Sequence, residues 1–462
     1  MLIKFSFKNF RSFKGQNEFS MLKGKQRFFE NRITEVDNLN VLKFSAIFGA
    51  NASGKSNLIR AIKTMQFIVL NNSVPADALG EYFKLDEDSA KSPTYFEMVF
   101  SIKDEVFSYG FEIRLDSRLV ESEWLYKLHK NQNGTIHETM IFERSNGKIS
   151  ISKDGSNNPR LEVYKANVEM MPMKLFLPYV ASLPWTVADA RNSIFQALLK
   201  TYGWFRNSLR VLYTGEPLFS PELGTRIDEG NISKLLSYFD TGIKSITLVP
   251  SSDSEFSRSL ANISIDLNAL QLSLAAQQDQ APGSHPLFLM RTPTDFWVIG
   301  IRDNRLNFSR IEFFHDEQKE HPFKISNESD GTIRLFELAD ALLNQEEEKV
   351  IIVDELDRCL HPMLTVQFIK NFLEKVSRPN DRSQFIVTTH ESRLMDLEIL
   401  RRDEIWFTAK ENNESSLYSL EEYNVRFDKV IDRAYFDGRY GGVPVFDSVF
   451  FPELVKHENQ DE

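Results

Sequence analysis

Apolar alternation and helical stripes divide the chain into recognisable segments. Leu2, Phe5, Phe7 and Phe10 recur at a period near two, which predicts strands over residues 1–48, with a turn at Ser12 and Phe13. Phe44, Ala46, Ile47 and Phe48 close that region as a short apolar run with the look of a buried strand. Leu58, Ile59, Ile62, Met65, Phe67 and Ile68 then repeat at helical spacing over residues 57–70. Residues 71–92 are polar and broken by Pro75 and Gly80, so a loop is expected. The runs YFEMVFSI, EVFSYGFEIRL and TMIFERS, separated by Lys-Asp, Asp-Ser and Asn-Gly, predict an antiparallel β-subdomain over residues 94–152.

The middle reads differently. Ile194, Phe195, Leu198, Leu199, Tyr202, Phe205 and Leu209 predict a helix over residues 193–211, their aromatic stripe serving as core, and a second helix is expected over 231–239. Residues 250–290 are rich in Ser, Asn and Gln, and AAQQDQAPGSHP reads as an exposed loop. Strand signals return over 294–325 in FWVIGIR and LNFSRIEFF. The last third alternates: helices over 332–343 and 366–376, and apolar strands over 349–353, 384–388, 405–408 and 416–420. Apolar strands set between helices predict an α/β fold with a parallel sheet covered on both faces. The expected organisation is an N-terminal half over 1–165, a helical or mixed insertion over 166–310 and a C-terminal half over 311–462, with a charged, frayed tail after Val455.

Composition narrows the function classes. With 462 residues, 42% hydrophobic and 26% charged, the chain is of ordinary globular type and long enough for two or three units. Its 38 phenylalanines suggest large cores or buried contacts between chains. A net charge of −11 argues against a broad basic surface, so DNA is not the favoured partner, although a local basic patch is compatible with it. One cysteine, Cys359, excludes a disulfide framework within the chain and is expected to be a buried small apolar residue. No apolar run reaches the roughly 18 residues of a membrane span. MLIKFSFKNF alternates like a strand rather than forming the apolar core of a signal peptide, so a cytoplasmic location is expected.

Three stretches carry chemistry. Gly49, Gly54, Lys55 and Ser56 fit G-x-x-x-x-G-K-[ST] between an apolar strand and a helix. In such a loop the N–H groups of Asn51, Ala52, Ser53, Gly54 and Asn57, with those of the fitted positions, can wrap a polyphosphate, with side chains excluded at the two glycines. Lys55 can reach the β- and γ-phosphates, Ser56 can ligate Mg²⁺, and the helix start offers its positive dipole end to the same anion. ATP and Mg²⁺ are the implied cofactors; a glycine-bearing turn that matches by chance is the plain alternative. Next, VIIVDELD is an apolar strand ending in two carboxylates. Asp354 can hold Mg²⁺ opposite Ser56, and Glu355 is placed to polarise the attacking water, though such a pair also occurs as a solvated edge or a helix cap. Lastly, QFIVTTH puts His390 at the carboxyl end of a strand, where open α/β sheets bind ligands and where it can reach a γ-phosphate and the water. Arg310 and His315 have the R-x-x-x-x-H spacing of some RNases, a loose pattern within a strand-like run, and His361 is assigned to the turn after the Asp-Glu pair.

This order of motifs resembles the ABC-type ATPases of the SMC and RecF kind. The matching elements are IKFSFKNFRSF, the 49–56 loop, DELDRCLHP and TTHES. The resemblance implies an ABC-type ATPase head with a mixed or parallel sheet, an antiparallel β-subdomain and a helical insertion. It implies a signature motif at Ser329, Asp330, Gly331 and Thr332, where Ser-Asp-Gly-Thr stands for the usual Ser-Gly-Gly-Gln; a plain Asp-Gly turn is the alternative. In that family the signature of one chain covers the nucleotide of another, so a head-to-tail homodimer, or a higher homo-oligomer built from it, is implied, with Asp357 of the D-loop at the interface. LMDLEILRRDEIWFTAKE and YFDGRYGGVPVF resemble the ATP-binding proteins of bacterial anti-phage operons, akin to OLD-family, AbiLi and AriA ATPases. Arg439, Gly441 and Gly442 are markers of that resemblance without a derived role. It implies a sensor or scaffold that controls a separate effector, such as a TOPRIM-type nuclease, on a phage trigger. About 70 residues follow His390, fewer than the roughly one hundred a TOPRIM module needs, and they lack its Glu and Asp-x-Asp set. A DNA-repair ATPase that clamps DNA across its dimer is the other expectation.

Overall fold

A computed structural model describes residues 1–152, 158–184, 186, 189–213, 219–220, 230–260, 266–280, 287–292, 294–302, 305–343, 348–423, 431–440 and 443. The chain forms two compact units, one of Met1–Ser208 with Ile386–Glu462 and one of Leu209–Phe385. These bounds follow packing, whereas the three spans expected above follow sequence character.

The first unit holds an antiparallel sheet of seven strands, in the order Lys148–Ile151, Ile136–Ser145, Val120–Lys130, Glu105–Ile113, Thr94–Ile102, Leu2–Lys8 and Asn17–Ser20. The expected β-subdomain is present and takes in the N-terminal strands. Alternate residues along Thr94–Ile102 are buried, which is what one packed face of a pleated strand requires. Phe100 carries that face onto Trp204, with ring centroids 4.3 Å apart. A second layer is built on Phe44–Phe48, buried at every position. It pairs in parallel with Ile405–Glu411, which turns through Asn412 and Asn413 into Glu414–Ser419. Both asparagines have positive φ (48° and 66°), as a two-residue hairpin turn demands, so the closing strand is antiparallel and the layer is mixed, in line with the expected mixed or parallel sheet. Lys55–Asn71 is the expected helix.

The second unit pairs Leu209–Leu212 in parallel with Val350–Val353. It also holds a five-stranded antiparallel sheet, ordered Phe219–Ser220, Leu287–Arg291, Phe296–Arg302, Arg305–Phe314 and Ser245–Ser251. Two expectations fail here. The helix predicted over 193–211 is α-helical over Ser193–Gly203 and continues as a π-turn over Trp204–Ser208, but Leu209 and Val211 belong to a strand because Val350–Val353 supplies a partner for their backbone. Residues 267–280, read partly as loop, form the helix Leu267–Gln280, which buries Leu274 against Phe256, Met290 and Trp297; residues 281–286 lie outside the described set. Residues 71–92 contain a short helix, Glu87–Lys91, capped by Asp86. Among the described residues no helix is long and apolar enough to cross a membrane.

One buried carboxylate gives the first unit a pH dependence. Glu123 accepts hydrogen bonds from Phe176 N–H (2.5 Å), Leu177 N–H (3.0 Å) and the Tyr109 hydroxyl (3.0 Å). Burial outweighs these donors and pushes its carboxyl up to about 7 from 4.5. The folded protein therefore holds a proton that the unfolded chain gives up above pH 4.5. The associated stability is complete below that pH and is lost as pH rises through about 7. Glu123→Gln should lessen the fall in urea-unfolding free energy between pH 5 and 8 by at most on the order of 3 kcal/mol, leaving the part due to buried Glu404, which burial pushes up to about 8.

Candidate functional site

The loop at 49–56 is clamped from behind. Thr408, the first polar residue after the apolar run Ile405, Trp406 and Phe407, shares a 2.6 Å hydrogen bond with Ser53. A Cβ on Gly49 would stand 2.4 Å from Thr408 Oγ1 and 2.5 Å from its carbonyl oxygen, and one on Gly54 would stand 2.8 Å from Ser415 Oγ. Gly49 is thus demanded by the backbone of the strand behind the loop, and Gly54 by its φ of 122° as well as by the nearness of Ser415. Ser12 joins the clamp, accepting from Asn57 Nδ2 (2.8 Å) and bonding Ser415 Oγ (2.8 Å).

In front, Asn51 and Ala52 are exposed, and Ala52 takes a left-handed φ of 62°. Ser53, Gly54 and Lys55 are buried, while Ser56 and Asn57 are half-buried. Lys55 Nζ donates to the carbonyls of Gly49 (2.7 Å) and Ala50 (3.0 Å), so its ammonium lies along the loop. No side chain caps the helix at Gly54 and no acid stands in its first turn. Loop N–H groups, an uncapped helix start and a lysine make a set of donors and positive charge that fits phosphate oxygens.

His390 lies at the same end of this layer. Thr389 N–H donates to Ile47 O (3.1 Å), which sets the segment beside the strand that feeds the loop, and His390 itself is exposed. Residues 49–57 and His390 are therefore carried together by the first unit.

The second unit carries Asp354, Glu355, Asp357 and residues 329–332. Asp354 is buried, and its N–H donates to Leu212 O (3.0 Å). Glu355 has φ 51°, which costs a residue with a Cβ about 1–2 kcal/mol. Arg334 Nη2 spans that turn, donating to the carbonyls of both Asp354 and Glu355 at 2.9 Å. Asp357 O accepts from Leu360 N–H (3.0 Å), and His361 caps the helix Pro362–Val376 through Met363 N–H. Cys359 is exposed with φ 63°, not buried as expected, because the tight turn directs it outward.

Ser329 and Asp330 are exposed at the start of the helix Asp330–Leu343, where Ser329 Oγ accepts from Thr332 N–H (3.1 Å). Thr332 is buried. A Cβ on Gly331 would lie 2.8 Å from Cys359 O, so glycine allows the helix start to touch the 357–361 turn. Elsewhere, Arg310 pairs with Glu312 (2.8 Å) and His315 with Glu328 (2.9 Å), which ties the two residues of the R-x-x-x-x-H pattern to different partners. Arg439 is exposed; Gly441, Gly442 and the tail after Val455 lie outside the described residues. Sequence reading missed Ser12, Thr408, Ser415 and Arg334. For Thr408 a signal existed, a polar residue ending an apolar strand. For Arg334 none did, since its partners are carbonyls.

No curated protein matches the chain. Among solved structures, the SMC head domain from Thermotoga maritima is similar at 16% identity, with a TM-score of 0.35 over 90% of this chain and 98% of that one. The family model described as "AAA domain, putative AbiEii toxin, Type IV TA system" matches residues 44–396, well over half of the chain. The chain belongs to that AAA-domain family.

Proposed function

We propose that the chain binds and hydrolyses ATP with Mg²⁺, and that two copies share each nucleotide. The observation that carries this reading is the clamped 49–56 loop, with Lys55 laid along it and an uncapped helix start behind it. Lys55 and the loop N–H groups would hold the β- and γ-phosphates. By their motifs, Ser56 and Asp354 would hold the magnesium, which when bound would neutralise phosphate charge. Glu355 would orient the attacking water and take its proton as oxygen bonds to the γ-phosphorus and the bond to ADP breaks. His390 would hydrogen-bond the γ-phosphate. Ser329, Asp330 and Gly331 would meet a second copy's nucleotide, with buried Thr332 holding Ser329 Oγ and Asp357 lying at the interface between copies. The exposure of Ser329 at a helix start supports this role.

ATP-driven closure of the dimer would then govern a separate effector, such as a nuclease, in defence against phage. The family description, which names a putative toxin of a type IV toxin–antitoxin system, is in keeping with a defence role. An SMC- or RecF-like DNA clamp is the competing reading, and a net charge of −11 weighs against it. DNA binding that requires ATP and falls steeply with salt would favour the clamp.

Lys55→Ala should weaken ATP binding by at least about 100-fold, as loss of two charge-assisted phosphate contacts would. Glu355→Gln should keep ATP affinity, lose turnover and shift the chain to dimer on gel filtration with ATP. Unchanged ATP affinity in the first variant, or wild-type turnover in the second, contradicts the assignment.

A further inference from the structure

The helix Asp330–Leu343 does more than present Ser329. Arg334 stands one turn in, with its side chain 12% exposed. Its Nη2 donates to two successive carbonyls, Asp354 O and Glu355 O, both at 2.9 Å. A planar guanidinium that bonds two carbonyls across a left-handed residue fixes the orientation of that peptide, and with it the direction of the Glu355 side chain. Gly331 makes the second contact, its Cα side set against Cys359 O.

Arg334 is itself steered. Its Nη1 faces Glu337 Oε2 at 3.4 Å, and the other carboxylate oxygen of Glu337 pairs with Arg291. Arg291 ends the strand Leu287–Arg291, opposite Phe296 in the five-stranded sheet. Phe296 and Phe313 of that sheet pack on Phe336, with centroids 4.4 and 5.8 Å away, so sheet and helix are packed neighbours in one unit. The path Arg291–Glu337–Arg334 thus runs from the end of a strand in the sheet to the backbone of Glu355, wholly within the second unit.

We propose that Arg334 is a positioning residue for Glu355, and that the Arg291–Glu337 pair lets the five-stranded sheet set the rate of ATP hydrolysis through it. The inference rests on reading Glu355 as the group that orients the attacking water. A partner that shifts the Arg291 end of the strand would draw on Glu337, rotate the Arg334 fork and turn Glu355 toward or away from the water. ATP binding at the 49–56 loop would stay unchanged.

Turnover and the affinity for a non-hydrolysable ATP analogue are compared in the full chain, with folding followed by thermal unfolding. Arg334→Ala should lower kcat by about 10- to 100-fold with KM and analogue affinity within about threefold, because a displaced catalytic group acts on kcat. Arg334→Lys, which reaches one carbonyl, should recover part of that loss. Glu337→Gln keeps volume and fold, and should lower kcat in the same direction. Adding Arg291→Ala to it should cost nothing further, since both act through one contact. A folded Arg334→Ala chain with wild-type kcat, or one whose KM rises instead, overturns the relay while Glu355→Gln remains inactive. If Glu355→Gln turns over like wild type, the reading of Glu355 fails first and the relay with it.

Discussion

The hydrogen bond between Ser53 and Thr408 stands behind the loop on which the site depends. A loop that offers its N–H groups to an anion must keep them aligned without the ligand, and it has few internal hydrogen bonds with which to do so. Here the rigidity comes from elsewhere in the chain. Thr408 and Ser415 belong to the C-terminal strands and Ser12 to the N-terminal turn, so the two ends of the sequence meet behind the loop in one unit. Gly49 and Gly54 are the residues that let this wall approach.

The second unit applies the same logic to a different backbone. Glu355 adopts a conformation that a residue with a side chain avoids, and Arg334 stabilises it by bonding the carbonyls on either side. Charge-assisted hydrogen bonds contribute about 1.5–3 kcal/mol each, enough to offset the conformational cost. The helix that supplies Arg334 opens with Ser329, so one rigid element joins the exposed capping serine to the carboxylate turn.

Much of the framework was legible because it is local. Alternation marks Thr94–Ile102 as a half-buried strand, and the apolar run Phe44–Phe48 followed by the glycine-lysine loop needs no tertiary information. What was hidden is whatever a partner decides. Leu209 and Val211 continue a helical stripe, yet they form a strand because Val350–Val353 lies beside them. The helix Leu267–Gln280 carries too much Gln and Asn to declare itself, and Leu274 packing on Trp297 is what holds it. Arg334 leaves no pattern, since carbonyl acceptors are the same at every residue. The glycines were found for one reason and turn out to serve a second, because the sequence cannot say what stands behind a loop.

The central claim is that triphosphate is held between the lysine loop of one copy and the helix start of another. A structure determined with Mg²⁺ and a non-hydrolysable ATP analogue tests it most directly. The account predicts γ-phosphate oxygens within hydrogen-bond distance of Lys55 Nζ and of Ser329 Oγ from a second copy. A nucleotide bound away from the 49–56 loop, or a single copy enclosing it with Ser329 turned elsewhere, would contradict the account.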